Sequence, residues 1–155
     1  MLSILVAAIV AALAGLALRR QWWRTAVRSW SMYPALQPGT HRWTRRLRAT
    51  APVRRGDIVV IDSAELGRRV VKRVIGLPGE TVDVTSGAVL VDGRPLPEPY
   101  VRSSGGPTGS YRLPADSYFV LGDNRPLSSD SRAWATPYVP RAAITGRLLV
   151  ANVES

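Results

Sequence analysis

The chain has 155 residues, a formal net charge of +10 and no cysteine. The length suits one domain. The missing cysteine excludes disulfides, thiolate zinc sites and cysteine nucleophiles together. A charge this basic points to nucleic acid, anionic lipid or acidic partners. The cations are lopsided: 20 of the 21 are arginine, and the single lysine is Lys72. Lysine can lose its proton inside a protein, whereas arginine stays charged.

In chain order, residues 2–18 come first, with no charge and no proline. As a helix they would span about 25 Å, near the short limit for crossing a bilayer. Arg19, Arg20, Trp22, Trp23 and Arg24 follow, the composition of a membrane-interface girdle. No Lys or Arg precedes the apolar run, which favours an anchor over a cleaved leader. Beyond residue 40 the pattern is short β runs broken by turn residues. GDIVVID (56–62), RRVVKRVIG (68–76), ETVDV (80–84), AVLVDG (88–93), SYFVLGD (117–123) and ITGRLLVANV (144–153) read as strands. Asp92-Gly93 signals a hairpin, and SSGGPTGS (103–110) reads as a flexible loop. No repeat, heptad or long amphipathic helix follows the apolar segment.

Few catalytic kits survive this inventory. A Ser-His-Asp arrangement would need the only histidine, His41, which lies among arginines in HRWTRRLR. One histidine and scattered carboxylates make a poor metal site. No phosphate-binding or dinucleotide glycine pattern is present. Arginines suffice in number for nucleic acid, but no reading motif accompanies them. A serine with a lysine base remains. Serine needs a positioned base, and an ordinary lysine is protonated at neutral pH. Burial lowers that pKa. On a strand Val70, Lys72 and Val74 share one face, and Val71, Arg73 and Ile75 the other. This spacing fits a desolvated lysine; it fits an exposed edge lysine equally well.

Five segments in order resemble the bacterial type I signal peptidases, membrane-bound serine proteases with a Ser-Lys dyad. SWSMYPAL, RRGDIVVID, VVKRVIGLPGETV, VLVDGRPLPEPYV and LGDNRPLSSDSRAW resemble the family's successive motifs and cover most of residues 27–147. The resemblance implies Ser31 as nucleophile and Lys72 as general base. It implies Ser29 as an oxyanion-hole donor beside the Ser31 N–H, and Ser128 as the group that orients the lysine. It implies Met32, Leu36, Val70 and Val71 as walls of the substrate channel. Arg73, Asp123, Arg125, Asp130 and Arg132 would brace the dyad, with Arg73 paired to Asp123. No cofactor and no metal are implied. Substrate would bind as an added strand, with small pockets selecting alanine-like residues at −1 and −3. The chain departs from the pattern at Trp30, where the family is small, at Arg28, at Ala35, and around ATPYVP after the last motif. Trp30 and Arg28 lie closest to the channel and bear on its specificity.

The expected fold is therefore mainly β: a single N-terminal transmembrane helix, then an all-β catalytic domain of signal-peptidase type. The expected divisions are a membrane anchor at 1–20, a basic and aromatic juxtamembrane segment at 21–28 and the protease domain at 29–155. The implied partners are exported preproteins and anionic membrane lipids, with no nucleic acid. The implied site of action is the extracytoplasmic side of the cell membrane. The positive-inside rule would leave the arginines in the cytoplasm, but long domains can translocate regardless of charge. Alternative readings keep the fold but dedicate it to one exported protein or pilin, or relate it to self-cleaving repressors. A further alternative discards catalysis for a basic, membrane-tethered β module that binds lipid or nucleic acid.

Overall fold

The computed structural model describes residues 6, 7, 9–12, 15 and 20–150. The expected anchor at 1–20 lies mostly outside the described residues. Among those described, no helix is long and apolar enough to cross a membrane.

The described chain is mainly β. Its strands are β1 (Trp22–Ala26), β2 (His41–Arg46), β3 (Ile58–Ser63), β4 (Arg68–Gly76), β5 (Thr81–Val84), β6 (Val89–Val91), β7 (Arg94–Pro95), β8 (Gly109–Arg112), β9 (Ser117–Leu121), β10 (Val139–Pro140) and β11 (Ile144–Leu148). Seven form one antiparallel sheet in the order β1-β2-β11-β3-β4-β9-β10, and four form a second in the order β7-β6-β5-β8.

The β4 run keeps its expected limits, and β3 sits beside it with Val59 opposite Lys72 and Ile61 opposite Val70. Asp92 and Gly93 form the two-residue turn that pairs β6 with β7. Side chains alternate across the large sheet as a period of two requires. Val59, Ile61, Val74, Val120 and Ile144 pack on one face, joined by Trp134. Ile58, Val60 and Leu148 pack on the other with Val27, Met32 and Leu36. A third cluster, Ile75, Phe119 and Leu121 with Val82, Val84 and Val89, joins the two sheets.

Three segments differ from the sequence expectation. The last strand, read over 144–153, ends at Leu148 among the described residues. Residues 109 and 110, read as the end of a flexible loop, join residues 111 and 112 in β8 on the small sheet. Residues 22–26, read as part of a girdle, form edge strand β1, paired residue by residue with β2. The pairing turns Trp23 and Thr25 inward. Trp23 packs against the Met32 and Leu36 cluster, and Thr25 Oγ1 is hydrogen-bonded to Thr44 Oγ1 at 2.6 Å. Gly146 on β11 makes room for this: a Cβ there would stand 2.4 Å from the Trp23 ring. That contact spans the sequence, so local pattern cannot reveal it.

Candidate active site

Ser31 sits in a 3-10 turn, Trp30–Met32, between β1 and β2. The residues after it are apolar and go inward: Met32 is 2% exposed and Leu36 fully buried. Their burial draws Ser31 down to the sheet. Its backbone is held from the other side by Asn124, whose N–H donates to Ser31 O at 3.0 Å and whose Nδ2 donates to Trp30 O at 3.2 Å. Gly122 lies against the same carbonyl, where a Cβ would come within 2.5 Å of Ser31 O and 2.2 Å of Ser128 Oγ. No larger residue fits at Gly122 without moving the serine turn. The Ser31 and Ser29 hydroxyls are 3.1 Å apart, within hydrogen-bond reach.

Lys72 is 4% exposed. Of the two placements its spacing allowed, the structure has the buried one. Its backbone pairs with Val59 of β3. Burial pushes the ammonium pKa down to about 8. Asp130 works against that shift, Arg68 and Arg132 work with it, and Asp123 opposes it more weakly. Among the described residues, the Lys72 side chain has no hydrogen-bonded or ion-paired partner, and none joins it to Ser31. The two meet instead as walls of one cleft of about 590 Å³, shared with Ser29, Met32, Leu36, Val70 and Val71. Val70 and Val71 flank it from opposite faces of β4: Val70 packs with the Val59 cluster and Val71 with the Met32 cluster.

The cleft follows an open backbone edge. Among the described residues, 68–72 of β4 pair with β3 on one side only. On the other side β9 begins to pair at Arg73, opposite Leu121. The free edge is about 17 Å long at the usual rise per residue.

Behind the cleft, the loop from Gly122 to Arg132 is dense with paired charges. Arg73 forks onto Asp123 with contacts of 2.8 and 2.6 Å, as the resemblance implied. Burial works against the charge on Arg73, but the hydrogen bond and field of Asp123 outweigh it and hold its pKa above the ordinary value. Asp130 and Arg132 form a fully buried pair at 2.8 Å, and Asp130 also accepts the Gly122 N–H. Arg125 pairs with Glu98 at 2.5 Å and donates to Gly122 O. Ser128 lies against Gly122, and among the described residues its buried Oγ has no hydrogen-bond partner, on the lysine or elsewhere.

Three contributors escaped the sequence reading: Asn124, Glu98 and Tyr100. The Tyr100 ring lies 3.8 Å under the Arg73 guanidinium, and its hydroxyl donates to Glu98 at 2.9 Å. Burial raises the Tyr100 pKa, and Glu98 raises it further, so the hydroxyl stays a donor. For Glu98 and Tyr100 the sequence signal is the Glu-Pro-Tyr run inside VLVDGRPLPEPYV. A second cavity of about 320 Å³ lies beside Glu98, Arg102, Arg125 and Arg132; neither Ser31 nor Lys72 lines it. His41 is exposed on β2, and no group of three metal-binding side chains occurs among the described residues.

A family model described as signal peptidase, peptidase S26, matches residues 1–151. The chain is 50% identical over 108 residues to a signal peptidase I of Leptolyngbya laminosa, covering 64% of this chain and 52% of that protein. It is 37% identical over 114 residues to a signal peptidase I of Bacillus licheniformis, covering 66% and 61%. The chain thus spans between half and two thirds of the length of these curated relatives. Among solved structures, a signal peptidase I from Enterococcus faecalis matches with a TM-score of 0.54 and 35% identity, over 63% of this chain and 97% of that one. The chain belongs to the peptidase S26 family of signal peptidases.

Proposed function

We propose that this chain is a serine endopeptidase that removes N-terminal signal peptides from exported preproteins, with Ser31 as nucleophile and Lys72 as general base. The observation that carries the reading is the only lysine of the chain, buried on an apolar face in the same cleft as Ser31. With a pKa of about 8, roughly one lysine in ten is neutral at pH 7, far more than for a solvated side chain. In the reaction, neutral Lys72 takes the Ser31 proton as Oγ attacks the scissile carbonyl. The developing oxyanion is met by the Ser29 hydroxyl and the Ser31 N–H. Lys72 then protonates the leaving amine, and the acyl-enzyme forms. Water, deprotonated by Lys72, attacks the ester and frees the serine.

Substrate docks as an extended strand on the open edge at residues 68–72 of β4, and its alternate side chains enter the cleft. Met32, Leu36, Val70 and Val71 leave shallow apolar space there, which suits alanine-like residues at −1 and −3. Arg73, Asp123, Arg125, Asp130 and Arg132 hold the two catalytic segments in place, and Ser128 turns onto the lysine when substrate fills the cleft. No cofactor is needed. The apolar N-terminus anchors the chain in the cell membrane with the β domain outside, and the arginines meet anionic headgroups.

A second reading, a maturation protease dedicated to one exported protein, is favoured by Trp30, 55% exposed beside the nucleophile. Broad cleavage of preproteins with Ala at −3 and −1 would exclude it. The primary test is cleavage of a purified preprotein after its signal peptide. The parent chain should cut, and Ser31→Ala and Lys72→Met should not. Full activity in either variant would sink the proposal.

A further inference from the structure

A strand laid on the free edge of β4 cannot continue past Lys72. The next backbone groups, from Arg73 onward, are already paired with β9. A chain that crosses Ser31 must therefore turn outward, over the 3-10 turn Trp30–Met32 and the second 3-10 turn, Arg125–Leu127, packed against it. These turns present a cluster of large apolar side chains to solvent. Trp30 is 55% exposed, Tyr33 41% and Leu127 66%. Only two other large hydrophobic side chains between residues 20 and 150 are so exposed, Trp43 and Leu149, joined by the Leu149 N–H bond to Trp43 O. The Trp30 and Tyr33 rings stand 5.4 Å apart at 60° and make an angled wall. Leu127 lines the cleft itself.

The wall stands on fixed backbone. Trp30 O accepts hydrogen bonds from Asn124 Nδ2 at 3.2 Å and from the Tyr33 N–H at 3.1 Å. Trp30 is thus adjacent in sequence to Ser31 and cannot swing its main chain away without breaking both bonds.

We propose that Trp30, Tyr33 and Leu127 form a subsite for an apolar side chain on the mature-chain side of the scissile bond. The residue it takes is aliphatic or aromatic and lies first or second after the cut. The inference rests on the function proposed above and adds a specificity to it. An apolar side chain set between the two rings and Leu127 leaves water along with them, whereas a serine or aspartate there gains no partner.

The experiment uses the full chain and peptide pairs that share Ala at −3 and −1. Within each pair the residue at +1 or +2 is Leu in one peptide and Ser in the other. Both peptides compete in one reaction, so the ratio of kcat/KM values is independent of how much enzyme is folded. The parent should prefer Leu by about tenfold at one of the two positions, the scale of small apolar discriminations in enzyme pockets. Trp30→Ala should bring the ratio below about two, and Leu127→Ser should lower it as well, by the same burial argument. A parent ratio near one overturns the subsite, and so does a ratio that both variants leave unchanged. Binding to anionic vesicles that falls in Trp30→Ala, with the peptide ratio intact, assigns the cluster to lipid and overturns the subsite too. Cleavage without preference defeats this inference alone. A parent that cuts no peptide defeats the underlying function along with it.

Discussion

The loop from Gly122 to Arg132 and the cleft in front of it treat buried polar groups in opposite ways. In the loop each buried charge has a partner: Asp123 with Arg73, Arg125 with Glu98, Asp130 with Arg132. In the cleft, among the described residues, Lys72 has none and the Ser29 and Ser31 hydroxyls have only each other; the loop's own exception is the neutral Ser128 hydroxyl, buried without a partner. The loop is built to stay still. The cleft keeps its donors and bases uncommitted, at a cost in stability, which is the pattern of a site that awaits a ligand. Within β4 the boundary falls between two adjacent residues, Lys72 and Arg73, whose side chains take opposite faces.

The sharpest break in this comparison is Lys72→Met. Activity should fall by about 10²–10⁴-fold, the usual worth of a general base. Stability should move the other way. The folded chain releases the lysine proton near pH 8, and the unfolded chain near 10.5. Below pH 8 both states hold it, and the burial cost is fully present. Between the two values the unfolded state holds more protons, so the parent gains stability as pH rises. The variant should therefore be more stable than the parent at pH 7 by about 1–3 kcal/mol. Denaturation at several pH values should show the gap closing between pH 8 and 10.5. A rate profile of the parent should rise through about pH 8.

Asp130→Asn tests the opposite region. It leaves Arg132 buried beside a neutral partner, and urea denaturation should show a loss of about 3–5 kcal/mol. Asp130 also raises the Lys72 pKa, so the rising limb of the rate profile should move to lower pH. Ser29→Ala should lower kcat by about 10²–10³-fold with little change in KM, as loss of an oxyanion donor does. Ser128→Ala is the mildest. Its hydroxyl has no partner to lose, so stability should change by less than about 1 kcal/mol. A kcat about tenfold lower with unchanged stability would assign it to the lysine, and an unchanged kcat would remove it from the mechanism.

Much of this was legible in the sequence where the physics is local. RRVVKRVIG gave its own period, and with it the face on which Lys72 lies. Asp92-Gly93 gave its hairpin by turn chemistry alone. The Arg73 and Asp123 pairing was legible from the family motifs, although the residues lie 50 apart. The Tyr100 ring under Arg73 was not, because a tyrosine in a connector gives no sign of what it will stack on. β1 was hidden for another reason. Tryptophan and arginine in WWRTA suit a membrane interface and an edge strand equally, and the space for Trp23 is made by Gly146, more than a hundred positions later. The unpartnered Ser128 hydroxyl has no local signature either. Whether a hydroxyl finds the lysine depends on a rotamer and on what fills the cleft.

The open edge of β4 has a consequence for life in a crowded solution. Five residues of backbone open on one side that can receive a peptide can also receive the same edge of another copy. The mouth of that edge carries Arg68 and Arg69, both exposed, on a chain of net charge +10. Two such edges brought together would gather these cations along one seam, a recognised guard against edge-to-edge aggregation. The lysine, taken inside, is not available for that duty, so the arginines at the entrance keep the groove soluble while leaving it free for a neutral strand.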